Sequence, residues 1–485
     1  MRPLYIYIAV VLWALFGFVI VYFARQHMET SLSDYFVANK TVGGFISGMT
    51  YSATTYSAFM MVGLVGLAYT SGVAALGFEM TYLMFTIILL YLFAPKFWLA
   101  GKKYNYITPP ELLADRYENK YVGVVASVLA LTMLIPYASV QLMGVGYLFQ
   151  GLSGGEIPFM GGVLIMAAFS GITALWAGFR SVSWTDAFQA MTMIITSIFL
   201  LFFVFFHFFG SPSGFISTIS TGYSELLEIN WDLPRFIGLS LPWAFFALSN
   251  PQVSQRMFVS ENVSSLKNMI IYFAIFGFIY TIITTLLGFS VRGIPLELSN
   301  PDNAMPELLA RVPTALSLLV FVGIFAAATS TLGSIVLTLS SISVLNIANS
   351  LNPKISENSE LIIGRLVVGG LLIVCILFAQ MQLDLITILS SMASGGLLVS
   401  VPAFIGAFYW KKGSDLGAIS SMAGGGILTA FLYISGWYPF KIWPPVWGLL
   451  TSSLLFIVIS LHSKKPSNAE KFIDFINEKS KEMNF

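Results

Sequence analysis

Ala326-Ala-Ala-Thr-Ser-Thr-Leu-Gly-Ser334, read beside Ser52-Ala-Thr-Thr-Tyr-Ser-Ala58, decides how this chain is built. Each stretch is a small, hydroxyl-rich patch inside a long apolar run. A helix in hydrocarbon has no water to satisfy polar groups, so such patches tend to line a path or a site. Sodium is a hard cation and takes oxygen ligands: hydroxyls, carbonyls and carboxylates. Two oxygen-rich patches on separate helices are what a sodium site held between helices needs.

The surrounding composition sets the class. Of 485 residues, 57% are hydrophobic and only 10% charged, against about 25% charged in soluble domains. Apolar runs of roughly 20 residues recur along the chain, which therefore reads as an all-α polytopic membrane protein. A net charge of +1 says nothing about nucleic acid and no basic tract suggests it, so no nucleic-acid partner is expected. Cys375 is the single cysteine, and no His-rich metal motif, phosphate loop or nucleophile elbow is present, so no enzymatic chemistry is expected. The first apolar stretch, Leu4 to Phe23, is too long for a signal-peptide core and lacks a cleavage pattern; it reads as a retained helix.

Thirteen segments have the character of crossing helices: 3–24, 43–71, 75–100, 121–149, 158–178, 184–209, 236–257, 266–291, 314–345, 361–380, 385–410, 415–436 and 446–462. They form a single transmembrane domain, 1–463, followed by a short tail, 464–485. An odd number puts the termini on opposite sides. Arg2, Arg235, Arg292, Arg311 and Lys441 fall on one side, and the other nineteen lysines and arginines on the other. The positive-inside rule then places the N-terminus outside and the tail in the cytoplasm, in a cell (plasma or inner) membrane. Phe472, Ile473, Phe475 and Ile476 give that tail the spacing of an amphipathic surface helix.

Several polar groups lie inside the apolar segments. In 43–71, Thr54, Thr55, Tyr56 and Ser57 sit at one depth, which predicts a helix interrupted near Ala53–Tyr56 with carbonyls freed toward a cavity. The alternative is close helix packing through small residues. In 236–257, Trp243 precedes Ser249-Asn-Pro-Gln252 and Arg256; Pro251 removes a backbone donor and breaks or kinks the helix, with Asn250 and Gln252 flanking the break. Interrupted helices at matching places in two halves point to a transporter site at the midplane. Asp186, in Ser183-Trp-Thr-Asp186, reads either as an acid favouring the start of its helix or as a cation ligand or gate residue. Gln141, in Pro136-Tyr-Ala-Ser-Val-Gln141, is a mid-span amide that needs a partner. Ser390, Ser391, Ser394, Gly395 and Gly396 form a further polar patch for which packing is an equal explanation, and Glu79, near the outer end of its helix, is less informative.

These residues carry a resemblance. The motifs are Ser33-Asp-Tyr-Phe-Val-Ala-Asn-Lys-Thr-Val-Gly-Gly44, Ser57-Ala-Phe-Met-Met-Val-Gly63, Thr108-Pro-Pro-Glu-Leu-Leu-Ala-Asp-Arg116, Ser183-Trp-Thr-Asp186 and Ala326-Ala-Ala-Thr-Ser-Thr331. Through them, from about residue 30 to 460, the chain resembles the sodium:solute symporters, the family of the proline, pantothenate, sialic-acid, monocarboxylate and sodium-glucose transporters. The resemblance implies a LeuT-like five-plus-five inverted repeat, about 43–209 and 236–410, with one extra helix before it and two after. It also implies a sodium site between the first and eighth core helices, made of the carbonyls of Ala53, Tyr56 and Ala327 and the hydroxyls of Ser330 and Thr331. Positions 327, 330 and 331 share one helix face, so the spacing agrees. Proline-type members carry an acid where this chain has Thr55. Some members hold a second sodium near Asp186 with serines of the eighth core helix; here Ser334 is present but its neighbour is Gly333, so one sodium per cycle is expected.

The function expected from this is sodium-coupled import of a small organic solute by alternating access. The solute would lie near Thr54, Thr55, Ser57, Gln141, Trp243, Asn250 and Gln252. No buried lysine or arginine is evident among these to pair with a carboxylate, although half-helix ends can bind one. The overall texture is closest to the pantothenate and monocarboxylate branch, with proline or another amino acid as the alternative. A site of hydroxyls without a titratable ligand favours sodium over protons. Rival classes are a non-transporting membrane sensor and a passive channel. The expected partners are the solute and the bilayer, with no obligate protein partner.

Overall fold

The computed structural model describes residues 1–26, 31–294, 296, 298–483 and 485. Among these described residues helix is the regular structure throughout, apart from one parallel bridge between Val42 and Ser260. A chain this apolar satisfies its backbone groups inside each segment, which in a bilayer means helices.

In chain order the helices of twelve or more residues are α1 (Pro3–Ala24), α2 (Gly44–Thr55), α3 (Phe59–Ser71), α4 (Val73–Tyr104), α5 (Lys120–Leu152), α6 (Phe159–Leu175) and α7 (Gly178–Phe208). They continue with α8 (Leu233–Ala244), α9 (Val263–Gly293), α10 (Thr314–Leu351), α11 (Asn358–Met381), α12 (Ile386–Tyr409), α13 (Asp415–Ser435), α14 (Pro444–His462) and α15 (Ala469–Glu482). Among the described residues, ten of these are long and apolar enough to cross a membrane, and the bent pair α2–α3 makes an eleventh. Two of the thirteen expected segments fall short of that test. Segment 158–178 is the shorter helix α6, and 236–257 is broken into α8 and three single turns, 246–249, 251–254 and 255–258. Large apolar side chains face outward at helical spacing, as in Leu4, Ile8, Leu12 and Leu15 of α1 and Phe199, Phe202 and Phe206 of α7. Lipid is the solvent for such faces.

Both expected breaks are present, and they have nearly the same geometry. Tyr56 ends α2 at φ −96°, ψ 98°, and Asn250 interrupts the other segment at φ −96°, ψ 107°. At Asn250 the cause is Pro251, which removes an N–H and pushes the residue before it into extended backbone. At Tyr56 no proline acts. There, side chains take the backbone's place: Ser57 Oγ accepts the Phe59 N–H at 3.2 Å, and Gln141 Oε1 accepts the Ala58 N–H at 3.2 Å. The two halves of the first break, α2 and α3, are bent by 53°. Helix α9 packs against both halves, and the fit is close. A Cβ on Gly48 would stand 2.7 Å from Tyr272 Cβ, and one on Gly288 would stand 2.6 Å from the Val65 carbonyl oxygen.

Asp186 does not begin its helix. The break before α7 falls at Gly178 (φ 63°, ψ 169°), and α7 runs on unbroken from there. Asp186 therefore lies about two turns inside, beyond the first turn where an acid favours the helix dipole. Its neighbours, rather than its helix end, decide what it does.

Helix α15 is the amphipathic tail helix. It buries Phe472, Ile473 and Ile476 against the ends of α4 and α12: Phe472 stacks on Tyr104 at 5.5 Å and meets Phe408 at 6.1 Å. Lys411 pairs with Asp474 at 2.7 Å.

Candidate ion and solute site

The break in α2–α3 brings free carbonyls against the hydroxyl-rich face of α10. Ser330 Oγ donates to the Ala53 carbonyl at 2.8 Å and to the Ala327 carbonyl of its own helix at 2.9 Å. Thr331 Oγ1 donates to the Ala53 carbonyl at 3.1 Å and to that of Thr54 at 3.4 Å. The participants are buried. Five oxygens from two helices thus converge, none of them titratable. Turning the two hydroxyl hydrogens away would point lone pairs at one small hard cation. Four of the five expected residues, Ala53, Ala327, Ser330 and Thr331, meet directly. Thr54 supplies the further carbonyl, while Tyr56 stands at the break with its ring stacked on Phe273 and Phe276.

One turn toward the end that carries most of the lysines and arginines lies a second polar cluster. Asp186 Oδ2 accepts from Thr50 Oγ1 at 2.6 Å and from the Arg256 guanidinium at 3.1 Å. Arg256 also donates to Ser334 Oγ at 2.7 Å, to Thr50 Oγ1 at 3.3 Å and to the Gln252 carbonyl at 2.6 Å. Ser334 Oγ lies 3.1 Å from Thr54 Oγ1. Asp186 and Arg256 are each 1% exposed. The cluster ties α2, α7, the 251–258 turns and α10 together.

A family model described as the sodium:solute symporter family matches residues 35–425. The chain belongs to the sodium:solute symporter family. It is therefore a sodium-coupled, multi-pass membrane transporter of small solutes and not an enzyme. It is 26% identical to the sodium/pantothenate symporter of Escherichia coli over 468 residues, which cover 94% of this chain and 95% of that one. It is 25% identical to the sodium/proline symporter of Haemophilus influenzae over 500 residues, covering 93% and 94%. Among solved structures, a substrate-bound, outward-open sodium-coupled sialic acid symporter superposes with a TM-score of 0.80 at 18% identity, covering 95% of this chain and 98% of that one. A nucleobase-cation-symport-1 family transporter in a closed conformation gives 0.57 at 13% identity, covering 91% and 99%. At these identities the two structures speak for the fold alone.

The residues expected around the solute divide into two groups. Some of this symporter's polar side chains are already engaged. Gln141 caps α3 and donates back to the Tyr137 carbonyl at 3.2 Å. Ser57 holds the Phe59 N–H, and Thr54 faces Ser334. Trp243 donates to Ser391 Oγ at 2.9 Å and stacks between Phe59 and Phe246 at 4.9 and 5.1 Å. The others are buried with polar atoms left without a hydrogen-bond partner: Thr55 Oγ1, Asn250 Nδ2 and both ends of the Gln252 amide. A buried orphan of this kind calls for a water, an ion or a ligand.

Two residues with no site role in the sequence reading are buried beside these groups. Arg256 is a buried base one helical turn from Gln252, with its charge already paired by Asp186. Its place in the chain, close to the many bases of one side, disguised it; the signal that could have found it is its position one helical turn after Gln252. Glu79 is the other. It is fully buried, and neither of its carboxylate oxygens has a hydrogen-bond partner. An acid six residues into an apolar helix was the available signal.

Proposed function

We propose that the protein is a sodium-driven importer of a small carboxylate bearing further hydrogen-bonding groups, pantothenate being the type. The observation that carries this is the cradle in which Ser330 and Thr331 meet the Ala53 and Thr54 carbonyls across two helices. In this reading one sodium sits among Ala53, Tyr56, Ala327, Ser330 and Thr331, with Thr54 adding a carbonyl. It staples the broken first core helix to α10 and favours the outward-open state. The solute then binds at the orphaned groups of Thr55, Asn250 and Gln252, in the space bounded by Ser57, Gln141 and Trp243. A ligand shifts the two states only by its difference in affinity for them, so both must leave their sites on the cytoplasmic side for the cycle to turn.

The architecture behind this reading is thirteen crossings with an inverted five-plus-five repeat, the N-terminus outside. Two breaks of nearly equal geometry, at Tyr56 and Asn250, support the repeat. The nineteen-to-five division of basic residues supports the orientation. Asp186 and Ser334 act as the inner gate, joined through Arg256. The pantothenate reading draws support from the relative of that name, which matches over nearly the whole of both chains. The alternative, a sodium/proline or other amino-acid symporter, is favoured by the unpartnered carboxylate of Glu79, which an ammonium group would neutralise.

The test is uptake into proteoliposomes of labelled pantothenate, proline, acetate, pyruvate, sialic acid and glucose, with and without an inward sodium gradient. Accumulation of pantothenate above equilibrium is the expected result. Accumulation of proline alone would select the alternative. Entry that stops at equilibrium with the gradient present would mark a passive channel and overturn the proposal.

A further inference from the structure

The tail helix α15 grips three separate parts of the chain, at the end of the bundle that carries most of the lysines and arginines. Phe472 stacks on Tyr104 of α4 and meets Phe408 of α12. Lys96 of α4 donates to Asn477 Oδ1 at 2.9 Å, and Lys411, just past α12, pairs with Asp474. Before α5, Glu118 accepts from the Ser467 N–H, the Ser467 hydroxyl and the Asn468 N–H at 2.7, 2.6 and 3.1 Å. The Asp115 carbonyl accepts from Asn468 Nδ2 at 2.9 Å.

Phe472 is also the outermost ring of a column of aromatic side chains. Phe258, in the last of the 251–258 turns, meets Phe97 at 5.5 Å. Phe97 meets Phe408 at 5.2 Å, and Phe408 meets Phe472 at 6.1 Å. All four are buried. Phe258 sits so close to α4 that a Cβ on Gly101 would stand 2.6 Å from its ring. The column therefore runs from the turns that carry Gln252 and Arg256 out to the tail.

We infer that α15 is a brace for the state closed at this end, and that its docking and sodium binding strengthen each other. This rests on the proposed cradle, in which sodium staples α2 to α10 and favours that same state. Packing supplies the coupling. Arg256 ties the turns to α7 and α10 through Asp186 and Ser334, and Thr50 of α2 joins them. Opening the site at this end means parting these groups, and Phe258 lies two residues from Arg256. Interiors are close-packed, so a shift of Phe258 displaces Phe97 and Phe408, the seat of Phe472. A seat that fits one of two states biases the equilibrium toward it, and such a coupling acts equally in both directions.

Chymotrypsin can cut after Phe472 only when that buried ring leaves its seat, and the rate of such a cut follows the population of the open form. The test follows this cut by mass spectrometry on the purified full-length protein, in sodium chloride and in potassium chloride. The two are compared at one ionic strength, because salt itself weakens exposed pairs such as Lys411 with Asp474. Sodium should slow the cut about 5-fold or more. S330A/T331A should lose that protection; protection that persists there would overturn the cradle while supporting the brace. In F472A the sodium concentration giving half-maximal thermal stabilisation should rise about 5-fold or more. Equal cleavage of wild type in the two salts, or faster cleavage in sodium, would refute the inference. So would a folded F472A with the wild-type sodium dependence. If F472A fails to fold, Y104A, which removes an exposed ring from the same stack, takes its place, and the wild-type cleavage rates decide in either case.

Discussion

Replacing Ser330 by alanine removes an oxygen that, with no ion present, bonds to two carbonyls at 2.8 and 2.9 Å. In the proposed site, that oxygen becomes a ligand when sodium binds. A hydrogen-bonding group acting on a charge contributes about 1.5–3 kcal/mol, and each 1.4 kcal/mol is tenfold in affinity. Ser330→Ala alone should raise the half-saturating sodium concentration about 10- to 150-fold. Thr331→Ala should act in the same direction. The two side chains share the Ala53 carbonyl, so the double variant will depart from the sum of the singles. Thr331→Ser keeps the oxygen and should stay within a few-fold of wild type. The assay is initial uptake into proteoliposomes across a sodium series, with a sodium-dependent thermal shift of the purified protein as a second readout. A double variant that folds and keeps the wild-type sodium dependence would refute the assigned site, and with it the reasoning from converging oxygens.

Other outcomes follow from the same geometry. Gln252→Leu exchanges a buried amide with no side-chain partner for an apolar group of similar size, so the sodium-free protein should be as stable as wild type or more so; solute KM should rise about tenfold or more while sodium dependence holds, and a matched loss of stability would show the amide to be structural. Transport of one sodium with a carboxylate anion moves no net charge, so an inside-negative potential should leave pantothenate uptake unchanged. A zwitterion would gain about 2.3 kcal/mol per 100 mV, or about 50-fold in accumulation, and voltage-stimulated pantothenate uptake would contradict a single sodium. Asp302, in the loop before α10, caps α12 by accepting the Ile386 N–H at 3.0 Å. Its carboxyl is pushed up to about 6, chiefly by burial, with the Ile386 N–H opposing and Asp384 reinforcing the rise. Between the ordinary carboxylate range and about pH 6 the folded chain keeps a proton the unfolded chain has lost, so stability falls as pH rises through that window and the cost is complete above it. Asp302→Asn should therefore stabilise the protein by about 1–3 kcal/mol at pH 8 and hardly at all near pH 4; thermal melts at the two values check this, and an equal effect at both would remove Asp302 as the titrating group.

The sequence by itself determined the membrane class, the places where two helices break and the oxygen-rich character of the proposed ion site. The reasons are local. Twenty apolar residues in a row have one stable form in lipid, Pro251 stops a helix wherever it stands, and positions 327, 330 and 331 share a face by helical spacing alone. Only the tertiary structure decided which polar groups are spent and which are free. Gln141 and Ser57 read as free polar groups in sequence; in the structure each accepts a backbone N–H at the start of α3. Arg256 looks like one more charge on the basic side, yet it is drawn inward onto Asp186, a residue 70 positions away. Glu79 looks like an acid near a helix end and proves to be fully buried. A polar group's partner is set by what lies across the gap between helices, and the residues across that gap come from distant parts of the chain.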